Sequence, residues 1–554
     1  MKNSRRFKKV ASLATAALMA ACMAAPITAI QASAVSVKFT NSASDTAHAM
    51  SAYQIFKGTV AKSATGRGAS AEVKDTQWAD GVTSADVITA VNTVLSSEKQ
   101  LASTASAAEV AKALSDTSLD ANAVAKALAK VKTSLKAVSD SSTITEDGYY
   151  LFVDGYKGTT DSKDATSLYL LAVIDADATE ALDITLKNSA PEVIKKVKED
   201  DKTVNAEGQA FAGEDNYDVG EKFNDVADYC IGEPIDFKLY GTLPSTYDDY
   251  TVYYYEFSDT SAATLAIDES TIKVFNGAND ITSNFEVSLS GGSLSVKCAD
   301  IKKVDGVTAN SVITVEYQAK LTADAVIGLD GQENEVKLIY STNPNFKGEG
   351  DTDEKDEHGE TPKDKVIVFT YELDTLKVDG STEAPLPGAK FKLGNGTQWA
   401  KVENDKFVEW TTEDKATELV SDANGLFKVI GLDSGEYQLK ETEAPAGYNT
   451  PTDPFTVTLT ASTVNDQTWT NKTAADALTA MAVKVGDVAG TVLAEDSTLN
   501  RGANGGGQVK IANNSGATLP STGGMGTTLF YIGGGVLAAG AGVLLITKKR
   551  TKKD

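Results

Sequence analysis

Apolar and polar residues alternate with period two through much of the chain. "PIDFKLYG", "YTVYYYEF", "SLSVKCA", "SVITVEYQAKL" and "NEVKLIYS" follow one another across 191–371, separated by turn-forming residues. Period-two runs predict strands with one face buried. A second group follows: "LDTLKVDG", "PLPGAKFKL", "GLFKVIGLDSGEYQLKETEAPAGY" and "GQVKIANNSG". It predicts another β unit over 372–518, in which 461–507 has no readable pattern. Upstream, "SAYQIFKG", "GYYLFVDGY" and "SLYLLAVI" read as strands. Between them, over 84–137, apolar residues recur at helical spacing. The expected architecture is mainly β. Three sandwich domains stand in tandem at 35–190, 191–371 and 372–518, the first carrying a helical insertion.

The two ends read differently. "MKNSRRFKKV" is basic, an apolar run follows, and Ala32-Ser33-Ala34 offers a small-residue cleavage site. This predicts a secretory signal peptide over 1–34; a lipoprotein signal using Cys22 is the rival. Near the C-terminus stands "LPSTGG", then an apolar run over 527–546, then "TKKRTKKD". Twenty residues at ~1.5 Å rise span a ~30 Å hydrocarbon core. A transmembrane helix is therefore expected in the precursor, its basic end cytoplasmic.

Charge and cysteine narrow the picture. The formal total is −25; setting aside the +5 of the signal peptide and the +4 from Gly523 onward leaves −34 for the exported part. Such a surface does not suit nucleic acid. Cys230 and Cys298 remain after export, where a disulfide between them could persist; two buried thiols is the alternative. The two histidines, His48 and His358, show no triad spacing, and no zinc-ligand spacing is present. The acidic stretch over 348–365 lacks the spacing of a calcium loop. No metal and no cofactor is expected.

Several motifs resemble one family. "GEYQLKETEAPAGY" looks like the E-box of Gram-positive pilins, and "PLPGAKFKL" like the second strand of their Cna-B-type domain. "ADYCIGEPIDFKLYGTLP" resembles their Cna-A-type domain, and "SAYQIFKG" with "QWADGV" their N-terminal domain. LPSTG before an apolar span and a basic tail resembles a sortase sorting signal, over 519–554. The chain thus resembles the SpaA-type major (backbone) pilins. That resemblance implies internal Lys–Asn isopeptide bonds and covalent polymerisation by a pilin-specific sortase. It also implies tip and basal pilins as partners, peptidoglycan attachment through a housekeeping sortase, and a host-surface ligand. The alternative is a singly wall-anchored adhesin or minor pilin of the same fold. No separate enzymatic activity is expected beyond autocatalytic bond formation.

The crosslinking chemistry restricts where its residues can stand. A lysine attacks a carboxamide only as the neutral amine, and burial lowers its pKa. A buried carboxyl kept protonated can polarise the amide carbonyl. Lysine, asparagine and acid must therefore face one apolar core, and strand parity tests this. In the C-terminal domain the parity selects Lys377 and Asn513 with Glu441 as the acid, Asn471 being the alternative partner. In the central domain it selects Lys195 and Asn334. The acid is Glu233, with Asp236 kept open, and Lys196 and Lys198 turn outward.

Polymerisation needs an acyl donor and an amine. The sorting signal, Leu519, Pro520, Ser521, Thr522 and Gly523, implies cleavage after Thr522. In the family the amine belongs to a lysine in a motif ending Tyr-Pro-Lys-Asn. Here "LDITLKN" places Lys187 and Asn188 at that position, without the proline.

Overall fold

The computed structural model describes residues 34–61, 72–158, 163–178, 180–200, 223–345, 357–464 and 473–515. The expected signal peptide up to residue 33, the sorting signal with its apolar span, and Asn471 lie outside them. No described helix is long and apolar enough to cross a membrane.

The described chain is mostly strand, and it forms two compact units. The first gathers residues up to 371 with 461–480 and 494–505; the second holds 372–460, 481–493 and 506 onward.

Within the first unit, 191–371 builds a sandwich of two sheets. In the six-stranded sheet Val193–Lys198 lies beside Ile235–Thr242, which pairs with Val312–Leu321. In the seven-stranded sheet Gln332–Ser341 pairs with both Tyr255–Ser261 and Asp364–Phe369. The alternation does the sorting: in Val312–Leu321, Ile313, Val315, Tyr317, Ala319 and Leu321 are buried while their neighbours are not. Phe237, Leu239, Phe257, Leu338 and Tyr340 complete this core.

Upstream, a five-stranded sheet centres on Met50–Ala61 and Gly148–Asp154. A three-stranded sheet pairs Val35–Thr40 in parallel with Leu182–Thr185. The expected helical stretch is three short helices, Ser84–Asn92, Ala107–Leu114 and Ala121–Ala129. The breaks have a local cause, because Ser and Asp side chains compete for backbone N–H groups and favour caps over helix interiors. Ser106 and Glu109 form a reciprocal capping box, and Asp120 caps the third helix. One face of each helix packs on the sheet through Val87, Val91, Val110, Val124 and Leu128, against Ile55 and Leu151.

In the second unit Tyr371–Asp379 runs parallel to Gly506–Asn513, with Lys377 opposite Ile511 and Asp379 opposite Asn513. Gly435–Glu443 lies between Lys390–Gly394 and Phe455–Thr463. Gly425 adopts φ +75, and a Cβ there would come within 2.4 Å of the Lys377 carbonyl oxygen. Only glycine combines that conformation with so close an approach. The unreadable stretch 461–507 contains the strands Leu478–Val485, Val488–Ala489 and Thr491–Val492. Its segment 494–505 belongs to the first unit, within which it hydrogen-bonds along Ile327 and Leu329.

Candidate functional site

Two buried clusters each bring a lysine, a carboxyl and an asparagine together. In the second unit, parity along Tyr371–Asp379 turns Lys377 inward, and the residue is 0% exposed. Its ammonium nitrogen lies 3.3 Å from the Ile511 carbonyl oxygen. Asn513 Nδ2 donates to Glu441 Oε1 at 2.8 Å. Burial pushes the Lys377 pKa down to about 8, against the opposing charge of Glu441. Burial also raises Glu441, against the pull of Lys377 and Asn513. Both shifts favour the neutral forms. Among the described residues, Glu441 Oε2 and Asn513 Oδ1 are buried without a hydrogen-bond partner. A proton on Oε2 would make the carboxyl a donor as well as an acceptor.

The central cluster bridges the two sheets of its sandwich. Lys195 comes from the six-stranded sheet, Asp259 and Asn334 from the seven-stranded one. Lys195 Nζ donates to Asp259 Oδ2 and, at 2.9 Å, to the Tyr317 hydroxyl. Tyr317 donates to Asp259 Oδ2 at 3.1 Å. Asn334 Nδ2 donates to the same hydroxyl oxygen at 2.8 Å. Phe237 and Tyr317 present their rings to the lysine at 5.7 and 5.4 Å. Burial lowers the Lys195 pKa and raises that of Asp259; each attracts the other's charge, but desolvation is the larger effect in both. Asp259 Oδ1 and Asn334 Oδ1 are buried without partners among the described residues.

The acid of this cluster is therefore Asp259, and neither Glu233 nor Asp236 is part of it. Glu233 sits half-buried in the turn before Ile235. Asp236 points to the opposite face from Phe237, where it accepts from Gln318 Nε2 at 2.8 Å and faces Lys198. Asp259 was legible: it shares the parity of Tyr255, Phe257 and Ser261, all buried.

A second expectation changes. Lys196 does face away from Lys195, yet it is fully buried, 2.6 Å from Asp225 Oδ1. The strand Phe223–Asn224 runs alongside and sets Asp225 beside it. Period-two reasoning assigns a face but cannot tell whether that face is covered. Lys198 is only partly exposed, 3.4 Å from Asp236 Oδ2 and over the ring of Phe223. Cys230 and Cys298 are both buried, and no disulfide joins them.

Lys187 is half-buried just beyond Leu182–Thr185. Its backbone N–H donates to Ser167 Oγ at 2.9 Å, and its carbonyl accepts from Leu168 N at 3.0 Å. The adjacent Asn188 is buried and donates to Asp164 Oδ1 at 2.5 Å. Asp164 belongs to a network that sequence reasoning missed. His48 Nδ1 lies 2.7 Å from Asp154 and Nε2 3.1 Å from Asp164. Burial opposes charge on His48, but the two carboxylates outweigh it and raise its pKa to about 9. His48 and its two aspartates stand over a hundred residues apart, so no local spacing could reveal them.

Comparison with known proteins bears on the whole arrangement. The family description "SpaA: Prealbumin-like fold domain" matches residues 371–473, and the LPXTG cell wall anchor motif matches 512–553. The solved T6 backbone pilin of serotype M6 Streptococcus pyogenes aligns with 88% of this chain and all of that one, at TM-score 0.50 and 15% identity. The chain has the fold of a Gram-positive backbone pilin. In sequence, this backbone-pilin fold is 26% identical over 273 residues to the trypsin-resistant surface T6 protein of Streptococcus pyogenes serotype M6, covering 43% of this chain and 48% of that protein. It is 38% identical over 89 residues to a collagen adhesin of Staphylococcus aureus, 16% of this chain and 7% of that protein. The chain thus spans about half the length of the first of these relatives and a small part of the second.

Proposed function

We propose that this protein is the structural major subunit of a sortase-assembled covalent pilus on a Gram-positive cell wall. The observation that carries the reading is the buried Lys377–Glu441–Asn513 cluster, joined in one chain to the matched cell wall anchor motif. Such a cluster has no use for solvent or substrate. Its chemistry is internal: neutral Lys377 attacks the Asn513 carboxamide, Glu441 donates to the developing oxyanion, and ammonia leaves. The central cluster does the same with Lys195, Asn334 and Asp259. Each isopeptide ties an early strand of its domain to a late one, which suits a shaft under load.

Polymerisation uses the other end of the chain. Sortase cleaves after Thr522 and holds it as an acyl-enzyme, and Lys187 of the next subunit attacks. Identical subunits, a pilin-specific sortase, tip and basal pilins, and peptidoglycan are the implied partners. The test is the pattern of wall-linked species on cells. A ladder resistant to detergent and heat is expected, collapsing to a single species in Lys187→Ala. A ladder that survives the substitution assigns the nucleophile elsewhere. The second reading, a singly anchored adhesin, draws on the local similarity to the collagen adhesin; it predicts one wall-linked species with or without Lys187.

A further inference from the structure

The central cluster contains one group that the Lys–acid–Asn scheme does not use. Tyr317 is buried between the two sheets, and its hydroxyl oxygen touches both reacting nitrogens. Lys195 Nζ, the attacking nitrogen, lies 2.9 Å away; Asn334 Nδ2, the leaving nitrogen, lies 2.8 Å away. We propose that the Tyr317 hydroxyl is a catalytic residue of crosslink formation, shuttling the proton that the attacking nitrogen loses to the nitrogen that departs. The inference rests on the crosslink reading above and adds a residue to it.

The proton balance requires some such carrier. The neutral lysine amine and the carboxamide combine to give a secondary amide and ammonia. The Nζ–Cγ bond forms, the Cγ–Nδ2 bond breaks, and one proton must pass from Nζ to Nδ2. In the tetrahedral intermediate Nδ2 is an amine with a free lone pair, while Nζ carries surplus positive charge. A direct transfer between them would close a strained four-membered ring. Through Tyr317 the ring is wider: Nζ–H donates to the phenolic oxygen while the phenolic O–H rotates from Asp259 to Nδ2. Tyr317 ends unchanged. Asp259 holds the proton that Lys195 gave up on becoming neutral, and it donates that proton in a hydrogen bond toward the Asn334 carbonyl oxygen. This gives the partnerless Asp259 Oδ1 and Asn334 Oδ1 their roles.

The geometry also explains why a tyrosine stands there. Its ring stacks on Phe237, 5.2 Å between centroids, and shares the apolar core with Leu239 and Val336. Only the hydroxyl is polar, so the relay enters the core with no charge of its own. The C-terminal cluster is built differently: its hydrogen bonds run through Glu441 and the Ile511 carbonyl. The two sites in one molecule thus provide an internal comparison.

The test is a pulse-chase of the exported chain made by cell-free synthesis. Ammonia loss is followed by intact mass, and the two joined peptides are quantified separately. In Tyr317→Phe the Lys377–Asn513 peptide should appear at the unmodified rate. The Lys195–Asn334 peptide should appear about a hundredfold more slowly or worse, the scale of general acid–base catalysis. Central crosslinking at the unmodified rate in Tyr317→Phe overturns the relay. Absence of the Lys195–Asn334 peptide from the unmodified chain overturns the crosslink reading, and the relay with it. Should Tyr317→Phe lose protease resistance in the central domain, a ring-fluorinated tyrosine at 317 preserves the shape. A rate that shifts with phenol acidity then supports the relay, and an unchanged rate overturns it.

Discussion

Replacing Glu441 with Gln tests the C-terminal crosslink with little change of shape. Glutamine keeps one carbonyl oxygen facing Asn513, but it has no carboxyl proton to donate. Lys377, with a pKa of about 8, is roughly one-tenth neutral at pH 7, so the amine still presents itself. What disappears is the polarising acid. The uncrosslinked chain should accumulate, heavier than the unmodified protein by one ammonia. The stability cost follows from the loop. Residues 377 to 513 enclose about 137 residues, and closing such a loop covalently contributes about 5 kcal/mol in the chain-entropy account. In a domain of about 150 residues, 1 kcal/mol moves the melting temperature by roughly 2–4 °C. The C-terminal transition in calorimetry should therefore fall by roughly 10–20 °C. Lys377→Met, which removes the nucleophile and leaves the acid, should show the same mass increment and a similar fall. If Glu441→Gln retains the mass of the crosslinked protein, the acid assignment fails. If the mass rises and the transition does not move, the loop argument fails.

Three further outcomes follow from the first unit. Asp259→Asn should restore one ammonia to the intact mass and abolish the Lys195–Asn334 peptide, whereas Glu233→Gln and Asp236→Asn should leave both unchanged. Lys196→Met leaves Asp225 buried without its cation, which should cost about 3–5 kcal/mol in denaturant unfolding, while Lys196→Met with Asp225→Leu should recover most of it. His48 sets a pH dependence: its folded pKa is raised from 6.5 to about 9, so its contribution is full below 6.5 and is lost as pH rises through about 9. The N-terminal transition should weaken over that window, and a His48→Gln variant should lose that part of the dependence.

The strands and the C-terminal cluster were legible because both obey parity. Lys377, Glu441 and Asn513 each share a face with apolar neighbours, and the structure buries all three. The same rule would have found Asp259 between Phe257 and Ser261. Parity alone does not choose between acids on different strands, and the stretch that resembles the family motif carries Glu233 and Asp236 instead. Lys196 shows the limit of the rule itself, since an outward-facing residue is exposed only if nothing covers the sheet. The His48 network was out of reach for a different reason. It joins three segments through side chains, and no period or spacing encodes such a meeting.

The positions of the two clusters along the chain carry a mechanical consequence. In the proposed polymer, joined from Thr522 to Lys187 and carrying both proposed crosslinks, tension enters at Lys187 and reaches Lys195 after a few residues. The first crosslink carries it directly to Asn334. It then follows the backbone to Lys377, crosses to Asn513 and leaves at Thr522. The bonds remove residues 196–333 and 378–512, 138 and 135 residues, from the loaded path. At ~3.4 Å per extended residue that is about 900 Å of chain per subunit that force cannot draw out. The two clusters meet different demands in doing so. A bond at the first would join strands of two facing sheets and so keep the sandwich from opening. A bond at the second would join neighbouring parallel strands in one sheet, where the hydrogen-bond ladder would otherwise bear the shear. Pulling single molecules should show no such extension in the unmodified chain, about half of it in Glu441→Gln or Asp259→Asn, and all of it in the double variant.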